Sequence, residues 1–325
     1  MSKPPEGKTN ESLCDTNLRR LEQTDPSTAS DAEHSDGRLA IPNGSGVADT
    51  NGGKLFYEVR GSGPAVVLIP AYGFDTRCWD DQVGPLSQAN TVVRYDPRGF
   101  GRSSQPAEDD HYSHQEDLAG LLDRLRIRQA HIVGNSNGGR IAIGFALAYP
   151  ERTASLVAAD PALDGTWPPS EIAAYFGQAH ETALSRGIDA AKEELITTMP
   201  AFLPAMSREA LASRVRTMMR DFSGWQFLRD DPERPSVPDA ANRLHELHMP
   251  VLAILGELEM PYIRGVVGRL ADEAPHAQRL DIAGAGHFTA MEAPTAFNEA
   301  VMAFMRPQAD LPTIRTARLG LRTSP

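Results

Sequence analysis

The sequence contains little cysteine, with only Cys14 and Cys78 among 325 residues. Cys14 lies in a polar N-terminal stretch, so we expect no structural disulfide and a reducing, cytoplasmic location. Because there is no Cys-x-x-Cys pair, a thiolate zinc site is excluded, and we expect no metal and no organic cofactor.

Long apolar runs are missing as well, since no stretch of about eighteen apolar residues occurs. The sequence therefore predicts no membrane-spanning segment. The N-terminal stretch MSKPPEGKTNESLCD has no apolar core, and we expect no signal peptide.

Basic side chains are in deficit, with 32 Lys and Arg against 43 Asp and Glu and a net charge of −11. A nucleic-acid-binding surface needs clustered Lys and Arg. The charge balance thus argues against a nucleic-acid partner and is typical of a well-solvated protein.

The order of apolar patterns predicts the fold class. Residues 1–46 hold few large apolar side chains, so we expect a disordered tail there. From Gly53 onward, strand patterns alternate with helical ones, which predicts a doubly wound, mostly parallel α/β sheet. The predicted strands are KLFYEVRG, PAVVLIPAYG, TVVRYDP, AHIVG, ASLVAAD, MPVLAILG and AQRLDIAG.

One long segment interrupts this alternation. Between Asp160 and Met249 the apolar residues recur at helical spacing only. We therefore predict a helical cap over residues 161–248, inserted into a core of residues 47–160 and 249–305. Residues 306–325 have no clear period, and we expect a loosely held C-terminal tail.

The stretch GNSNGG follows the predicted strand AHIVG directly and precedes a helix. Its Gly-x-Ser-x-Gly pattern between a strand and a helix is typical of a nucleophile elbow, a tight turn that raises a serine above the sheet. The pattern predicts Ser136 as a nucleophile.

A serine hydroxyl needs a base to accept its proton and an acid to orient that base. Among nine histidines, His287 lies just past the predicted last strand, in a loop of small residues, and we predict it as the base. Three carboxylates that follow strands remain candidates for the acid: Asp160, Glu257 and Glu259.

From about Gly53 to Met305 the chain resembles the α/β-hydrolase superfamily. The resemblance is carried by YDPRGFGRSS, GNSNGG, PVLAILGELE and GAGHF, in the family's order and spacing. It implies a serine hydrolase with Ser136 as the nucleophile, His287 as the base and an acid after the strand ending at Gly256. Relatives carry the acid in a Gly-x-x-acid pattern, which implies Glu259, although aspartate is commoner there.

The resemblance also implies an oxyanion hole made of the backbone N–H groups of Asn137 and Tyr72. In relatives the second donor follows a His-Gly pair, which is replaced here by Pro70 and Ala71. An alanine resists backbone angles that glycine adopts, so the turn before Tyr72 departs from the common pattern.

The segment DPRGFGRSS could be taken for a phosphate-binding loop. It lacks the Lys-Ser/Thr pair of a P-loop and the spacing of a dinucleotide fingerprint. We therefore predict structural roles for Asp96 and Arg98.

These residues predict hydrolysis of a carboxylic ester or lactone of a small to medium acyl substrate through an acyl-enzyme. Ser136 at the elbow argues against the epoxide hydrolases and dehalogenases, whose nucleophile is aspartate. Two enzymatic alternatives use the same triad: a cofactor-free haloperoxidase and a C–C bond hydrolase. A non-catalytic, hydrolase-like small-molecule receptor is the alternative from another class. The sequence does not fix the oligomeric state.

Large apolar residues of the predicted cap are expected to form an apolar pocket over the site. They are Tyr175, Phe176, Phe202, Met218, Met219, Phe222, Trp225 and Phe227.

Overall fold

The computed structural model describes residues 41–166 and 168–306, and its centre is an eight-stranded sheet. In space the strands lie in the order β1-β2-β4-β3-β5-β6-β7-β8. Their bounds are β1 Gly44–Thr50, β2 Gly53–Arg60, β3 Ala65–Ile69, β4 Thr91–Tyr95, β5 Ala130–Asn135, β6 Thr153–Ala159, β7 Val251–Gly256 and β8 Ala277–Ile282.

The sheet is mostly parallel, as the sequence predicts. Strand β2 pairs antiparallel with both β1 and β4, whereas every pair from β4 to β8 is parallel. Parallel strands end at the same edge of a sheet, so the loops after β3, β5, β6, β7 and β8 meet there. Chemistry-bearing residues on those loops are thereby brought together.

Helices cover both faces of the sheet, which makes it doubly wound. The helices of at least seven residues are α1 Asp80–Leu86, α2 His114–Arg124, α3 Asn137–Ala148, α4 Ser170–Arg186, α5 Ile188–Thr198, α7 Glu209–Asp221, α8 Pro261–Glu273 and α10 Pro294–Met305. Two shorter ones are α6 Leu203–Met206 and α9 Thr289–Glu292. Among the described helices, none combines the length with the apolar composition that a membrane span requires.

Alternation along β3 divides the core into two layers. Val67 and Ile69 pack with the buried faces of α2, α3 and α8. Val66 and Leu68 pack on the opposite side with α1, α10 and the helices that follow β6. Each residue of this buried strand therefore contributes to one apolar layer or the other, as its continuous apolar sequence predicts.

Between β6 and β7 the described residues form helices α4 to α7 and short 3₁₀ turns, with no strand. Helices α4 to α7 pack on the side of the sheet that carries Val66 and Leu68, whereas residues 237–247 pack in the layer of Val67 and Ile69. We call residues 161–248 the helical insertion. Its helical content agrees with the sequence pattern.

The predicted boundary of the N-terminal tail is wrong by three residues. Strand β1 begins at Gly44, inside the tail predicted to run to residue 46. The sequence GSGVADT gives a weak strand signal, because only Ala48 and Thr50 are buried in this edge strand. Residues 1–40 lie outside the described residues, as do residues 307–325 of the predicted C-terminal tail.

Trp225 fastens the helical insertion to the core. The residue is 7% exposed, and its Nε1 donates a hydrogen bond to the carbonyl of Gly99, 3.2 Å away. Gly99 belongs to the loop after β4, so the bond joins residues far apart in sequence. The guanidinium of Arg229 lies 4.4 Å from the centroid of the indole ring and covers it.

We expect Trp225→Ala to lower the free energy of unfolding by about 3–5 kcal/mol, because a large buried ring and its hydrogen bond are lost. A chemical denaturation curve measures this. Leu228→Ala, three residues away at a 45% exposed position, is the matched control and should change stability little. Equal stabilities of the two variants would contradict the anchoring role of Trp225.

Candidate active site

Ser136 lies in a strained turn between β5 and α3. Its φ of 56° and ψ of −115° are rare for a residue with a side chain, and it is the N-cap of α3. The turn is held by two backbone hydrogen bonds, from Ser136 N to Ala159 O at 2.9 Å and from Ala162 N to Ser136 O at 3.2 Å. The end of β6 thus fixes the serine.

The glycines on either side of Ser136 allow α3 to approach the sheet closely. A Cβ atom on Gly138 would lie 2.1 Å from the carbonyl oxygen of Ile69, and one on Gly134 would lie 2.1 Å from that of Gly138. Both distances are far inside van der Waals contact, so only glycine fits. This is the physical reason for the Gly-x-Ser-x-Gly pattern.

His287 is positioned by two residues that sequence reasoning missed. Asn135 donates from Nδ2 to the carbonyl of His287 at 2.9 Å and to that of Ala159 at 3.0 Å. Glu292 accepts from the N–H groups of Gly286 at 2.9 Å and Phe288 at 3.1 Å, one on each side of the histidine.

Arg208 of the helical insertion adds a third constraint on the histidine loop. Its guanidinium donates to the carbonyl of Glu292 at 2.8 Å and to that of Gly284 at 2.5 Å. The loop that carries His287 is thus held by Asn135 of the sheet, by Glu292 just after the loop and by Arg208 of the helical insertion.

The structure brings Ser136, His287 and Glu259 into one hydrogen-bonded line. His287 Nε2 lies 2.7 Å from Ser136 Oγ, and His287 Nδ1 lies 2.5 Å from Glu259 Oε2. All three side chains are buried. The other oxygen of Glu259 accepts from the N–H of Met260 at 2.7 Å, which fixes the carboxylate.

The two other acid candidates lie elsewhere. Asp160 follows β6 and accepts from the N–H of Gly256 at 2.7 Å rather than from His287. Burial, followed by the charge of Glu259, raises the pKa of Asp160 well above its usual value. Glu257 is exposed and accepts from the N–H of Gly284 at 2.8 Å.

Burial alone would lower the pKa of His287. The charge of Glu259 and its hydrogen bond outweigh that effect, and the pKa of His287 lies above its usual value. An imidazole between a carboxylate and a hydroxyl can accept the hydroxyl proton and keep the resulting charge.

Ser136 and His287 line a cavity of about 460 Å³, a size typical of small-molecule sites. Tyr72 and Asn137, the predicted oxyanion donors, line it too. Asn137 is the first residue of α3, whose leading N–H groups have no partner within the helix. The left-handed φ near Tyr72 falls on Gly73 rather than Ala71, so Ala71 causes no strain.

The cavity has apolar walls, as expected, but polar side chains line it as well. Of the eight apolar residues predicted for it, Phe176 and Phe202 line the cavity, and the others, including Trp225, pack elsewhere. Further walls come from Leu195, Met199, Met260, Ile263 and Phe288. Polar side chains also line the cavity, mostly from a segment without periodicity: His114, Arg140, Gln226, Arg229, Asp230, Asp231 and Glu233.

Asp96 and Arg98 do not line the cavity. Asp96 accepts from the N–H groups of Thr76 and Arg102. Arg98 is buried and forms two hydrogen bonds to Asp117, at 2.6 and 2.8 Å. Both residues hold loops in place, which is the structural role that the sequence predicts.

Within residues 41–166 and 168–306 there is no cluster of three or more His, Cys, Asp or Glu side chains that could hold a metal ion.

We expect the imidazole of His287 to titrate above the usual histidine pKa of about 6.5, because the charge of Glu259 favours the protonated ring. Nitrogen-15 NMR of the ring measures it. Glu259→Gln should lower this pKa, whereas the control Glu257→Gln should leave it unchanged. Equal shifts in both variants would contradict the pairing.

The described geometry can be compared with known proteins. A model of the alpha/beta hydrolase family matches residues 66–300. The "Putative carbamate hydrolase RutD" of Caulobacter sp. (strain K31) is 30% identical over 268 residues, which cover 78% of this chain and 97% of the relative. The 2-hydroxy-6-oxononadienedioate/2-hydroxy-6-oxononatrienedioate hydrolase of Burkholderia vietnamiensis is 30% identical over 266 residues, covering 78% of this chain and 91% of the relative.

Among solved structures, the enol-lactonase from Burkholderia xenovorans LB400 superimposes with a TM-score of 0.69. It is 23% identical in sequence, and the match covers 80% of this chain and 99% of the lactonase. This likeness concerns the fold. Since the family model spans most of the chain, the protein belongs to the alpha/beta hydrolase family.

Proposed function

We propose that this protein is a serine hydrolase that cleaves a carboxylic ester or lactone of small to medium size through an acyl-enzyme. The observation that carries the proposal is the buried line from Ser136 through His287 to Glu259 at the wall of a cavity. A strained serine, a base at 2.7 Å and a carboxylate behind the base are the parts that nucleophilic acyl transfer needs.

In the first step Ser136 Oγ forms a bond to the carbonyl carbon while His287 Nε2 takes the hydroxyl proton. The tetrahedral intermediate then collapses, the bond to the leaving oxygen breaks, and His287 returns the proton to the leaving alcohol. Water repeats the sequence and releases the acid. Since His287 must start neutral, its raised pKa moves the ascending limb of the pH profile above the usual histidine range.

The oxyanion of the intermediate would lie between the N–H groups of Asn137 and Tyr72, two residues that line the same cavity as Ser136. The N-terminus of α3 also points its partial positive charge at this place. These donors are backbone groups, so the substitution of Pro70 and Ala71 for the family's usual pair leaves them available.

Glu259 is the acid in this proposal because its oxygen is the one that contacts His287 Nδ1. It stabilises the imidazolium and fixes the tautomer with the proton on Nδ1. Asp160 accepts from the N–H of Gly256 and burial raises its pKa, so it is unsuited to that task.

The names of the two relatives described above specify different carbonyl compounds, a carbamate for one and a dioate for the other. A dioate carries two carboxylates. The carboxylates that line the cavity, Asp230, Asp231 and Glu233, outnumber its two guanidiniums, Arg140 and Arg229, and would repel a further negative charge. This disfavours a dianionic substrate and supports an ester or lactone without such charge.

We expect Ser136→Ala to reduce kcat on short acyl esters by about a thousandfold or more while the protein stays folded, because the nucleophile is removed. A chromogenic ester assay with circular dichroism measures both. Ser213→Ala, at an exposed position of α7, is the control and should act like the wild type. Wild-type turnover by Ser136→Ala would remove the proposal, and no turnover by the wild type on any ester or lactone would favour a receptor.

We expect Glu259→Gln to lower kcat by roughly a hundredfold or more, since the charge that stabilises the imidazolium is lost. Glu257→Gln should stay close to the wild type, and Asp160→Asn should be much milder than Glu259→Gln. Steady-state kinetics of the three variants on one ester test this. If Asp160→Asn were the most damaging, the acid would be Asp160.

A further inference from the structure

Seven polar side chains in the wall of the cavity have no part in the proposed chemistry. Asp230 and Asp231 are exposed, and the other five are at least partly buried. His114 begins α2, Arg140 lies on α3, and Gln226, Arg229 and Glu233 belong to the helical insertion. We call these five residues the polar lining. They share the cavity with Ser136 and His287, so a bound substrate would contact them.

Part of the charge of the polar lining is already matched. Arg140 is buried and donates to Asp164 at 3.0 Å, to Glu233 at 2.6 Å and, from Nε, to the side-chain oxygen of Asn137 at 2.8 Å. Its guanidinium therefore faces two carboxylates. Burial alone would raise the pKa of Glu233, but the charge of Arg140 outweighs it, so the pKa is lowered and Glu233 stays ionised.

Several polar atoms of this lining are buried without a hydrogen-bond partner among the described residues. They are Oε1 of Glu233, Nδ1 of His114, Nη1 of Arg229 and both amide atoms of Gln226. Buried polar atoms in folded proteins are nearly always paired, because each unpaired one costs about 1–3 kcal/mol. The side chains that carry these atoms line the cavity, which is where a ligand can supply the missing partners.

The unpaired atoms include both hydrogen-bond donors and hydrogen-bond acceptors. Oε1 of Glu233 can only accept a hydrogen bond, and Nη1 of Arg229 can only donate one. Burial lowers the pKa of His114 to about 4, so its ring is neutral. The amide of Gln226 offers one donor group and one acceptor.

This mixture argues against a charged ligand group. A carboxylate would pair with Arg229 but would meet Glu233, and an ammonium would pair with Glu233 but would meet Arg229. An uncharged group that both donates and accepts satisfies each of them without a buried charge left unpaired.

The polar lining is held in place before any ligand binds. Tyr112 donates from its hydroxyl to Asp231 at 3.0 Å, and the hydroxyls of Ser113 and Ser236 lie 2.7 Å apart. The N–H of Ser236 also donates to the side chain of Gln115 at 3.1 Å. These contacts fasten the loop after Trp225 to the start of α2, which lowers the ordering cost of binding.

We propose that the substrate carries, besides its scissile carbonyl, an uncharged group that both donates and accepts hydrogen bonds, and that the polar lining binds this group. A primary carboxamide is the simplest planar example of such a group. The proposal rests on the proposed hydrolase function, since it names the substrate class of the same cavity.

The test uses nitrophenyl esters whose acyl chains end in one of four groups of similar size: carboxamide, isopropyl, carboxylate or ammonium. Several chain lengths are compared. For the wild type we expect kcat/KM of the best carboxamide ester to exceed that of its isopropyl match by about tenfold or more, with the carboxylate lowest. Binding of the same esters to Ser136→Ala, measured by calorimetry, gives a readout that does not need turnover.

Gln226→Leu removes two unpaired atoms without breaking any hydrogen bond among the described residues, so folding is not at risk. It should reduce the ratio of carboxamide to isopropyl kcat/KM by about tenfold. Gln278→Leu, on the exposed edge strand β8, is the matched control and should keep the wild-type ratio.

Three results would overturn this inference while the hydrolase function stood. They are turnover without preference for the carboxamide, a preference for the carboxylate or ammonium, and an unchanged ratio of carboxamide to isopropyl kcat/KM in Gln226→Leu. Selective binding of the carboxamide to Ser136→Ala without turnover by the wild type would overturn the hydrolase function and support the polar lining as a binding site.

Discussion

The close approach of α3 to the sheet is the constraint on which the candidate site depends. Because Gly134 and Gly138 carry no side chains, the helix can begin immediately after β5 and hold Ser136 in a left-handed turn. That turn sets where the hydroxyl points, and it presents the first N–H groups of α3 to the cavity. His287 and the walls of the cavity are arranged around this one fixed point.

The edge of the parallel sheet explains how distant residues meet. Ser136 follows β5, Asp160 follows β6, Glu259 follows β7 and His287 follows β8. These four strands are neighbours in this order. A carboxylate after either β6 or β7 is therefore close to the histidine, and the sheet alone does not choose between them. The choice rests on hydrogen bonds, with Asp160 bound to the Gly256 N–H and Glu259 to the ring.

Much of this arrangement follows from local sequence patterns. The order of strands and helices and the helical character of the insertion were predictable, because buried strands and amphipathic helices repeat with different periods. The positions of Ser136, Glu259 and His287 were predictable too, because each follows a strand in a short motif. Strand β1 and helix α8 were not, since GSGVADT and PYIRGVVGRLADE hold glycines that weaken both patterns.

Residues that act through long-range hydrogen bonds left no signal in the sequence. Asn135 and Glu292 hold the loop of His287, yet each reads as an ordinary polar residue. The polar lining was hidden for the same reason, since RDDPER has no period and is typical of a solvated loop. Its placement depends on contacts of the neighbouring Asp231 and Ser236 with Tyr112 and Ser113, more than a hundred residues away in sequence.

The contacts of Arg208 have a consequence for how the cavity can open. Its guanidinium joins the helical insertion to the carbonyls of Gly284 and Glu292, on both sides of His287. A fluctuation that lifts this part of the insertion must break both bonds and so remove one of the three constraints on the loop of His287. Movement of this part of the insertion is therefore coupled to loosening of the loop of His287, which Asn135 and Glu292 continue to hold.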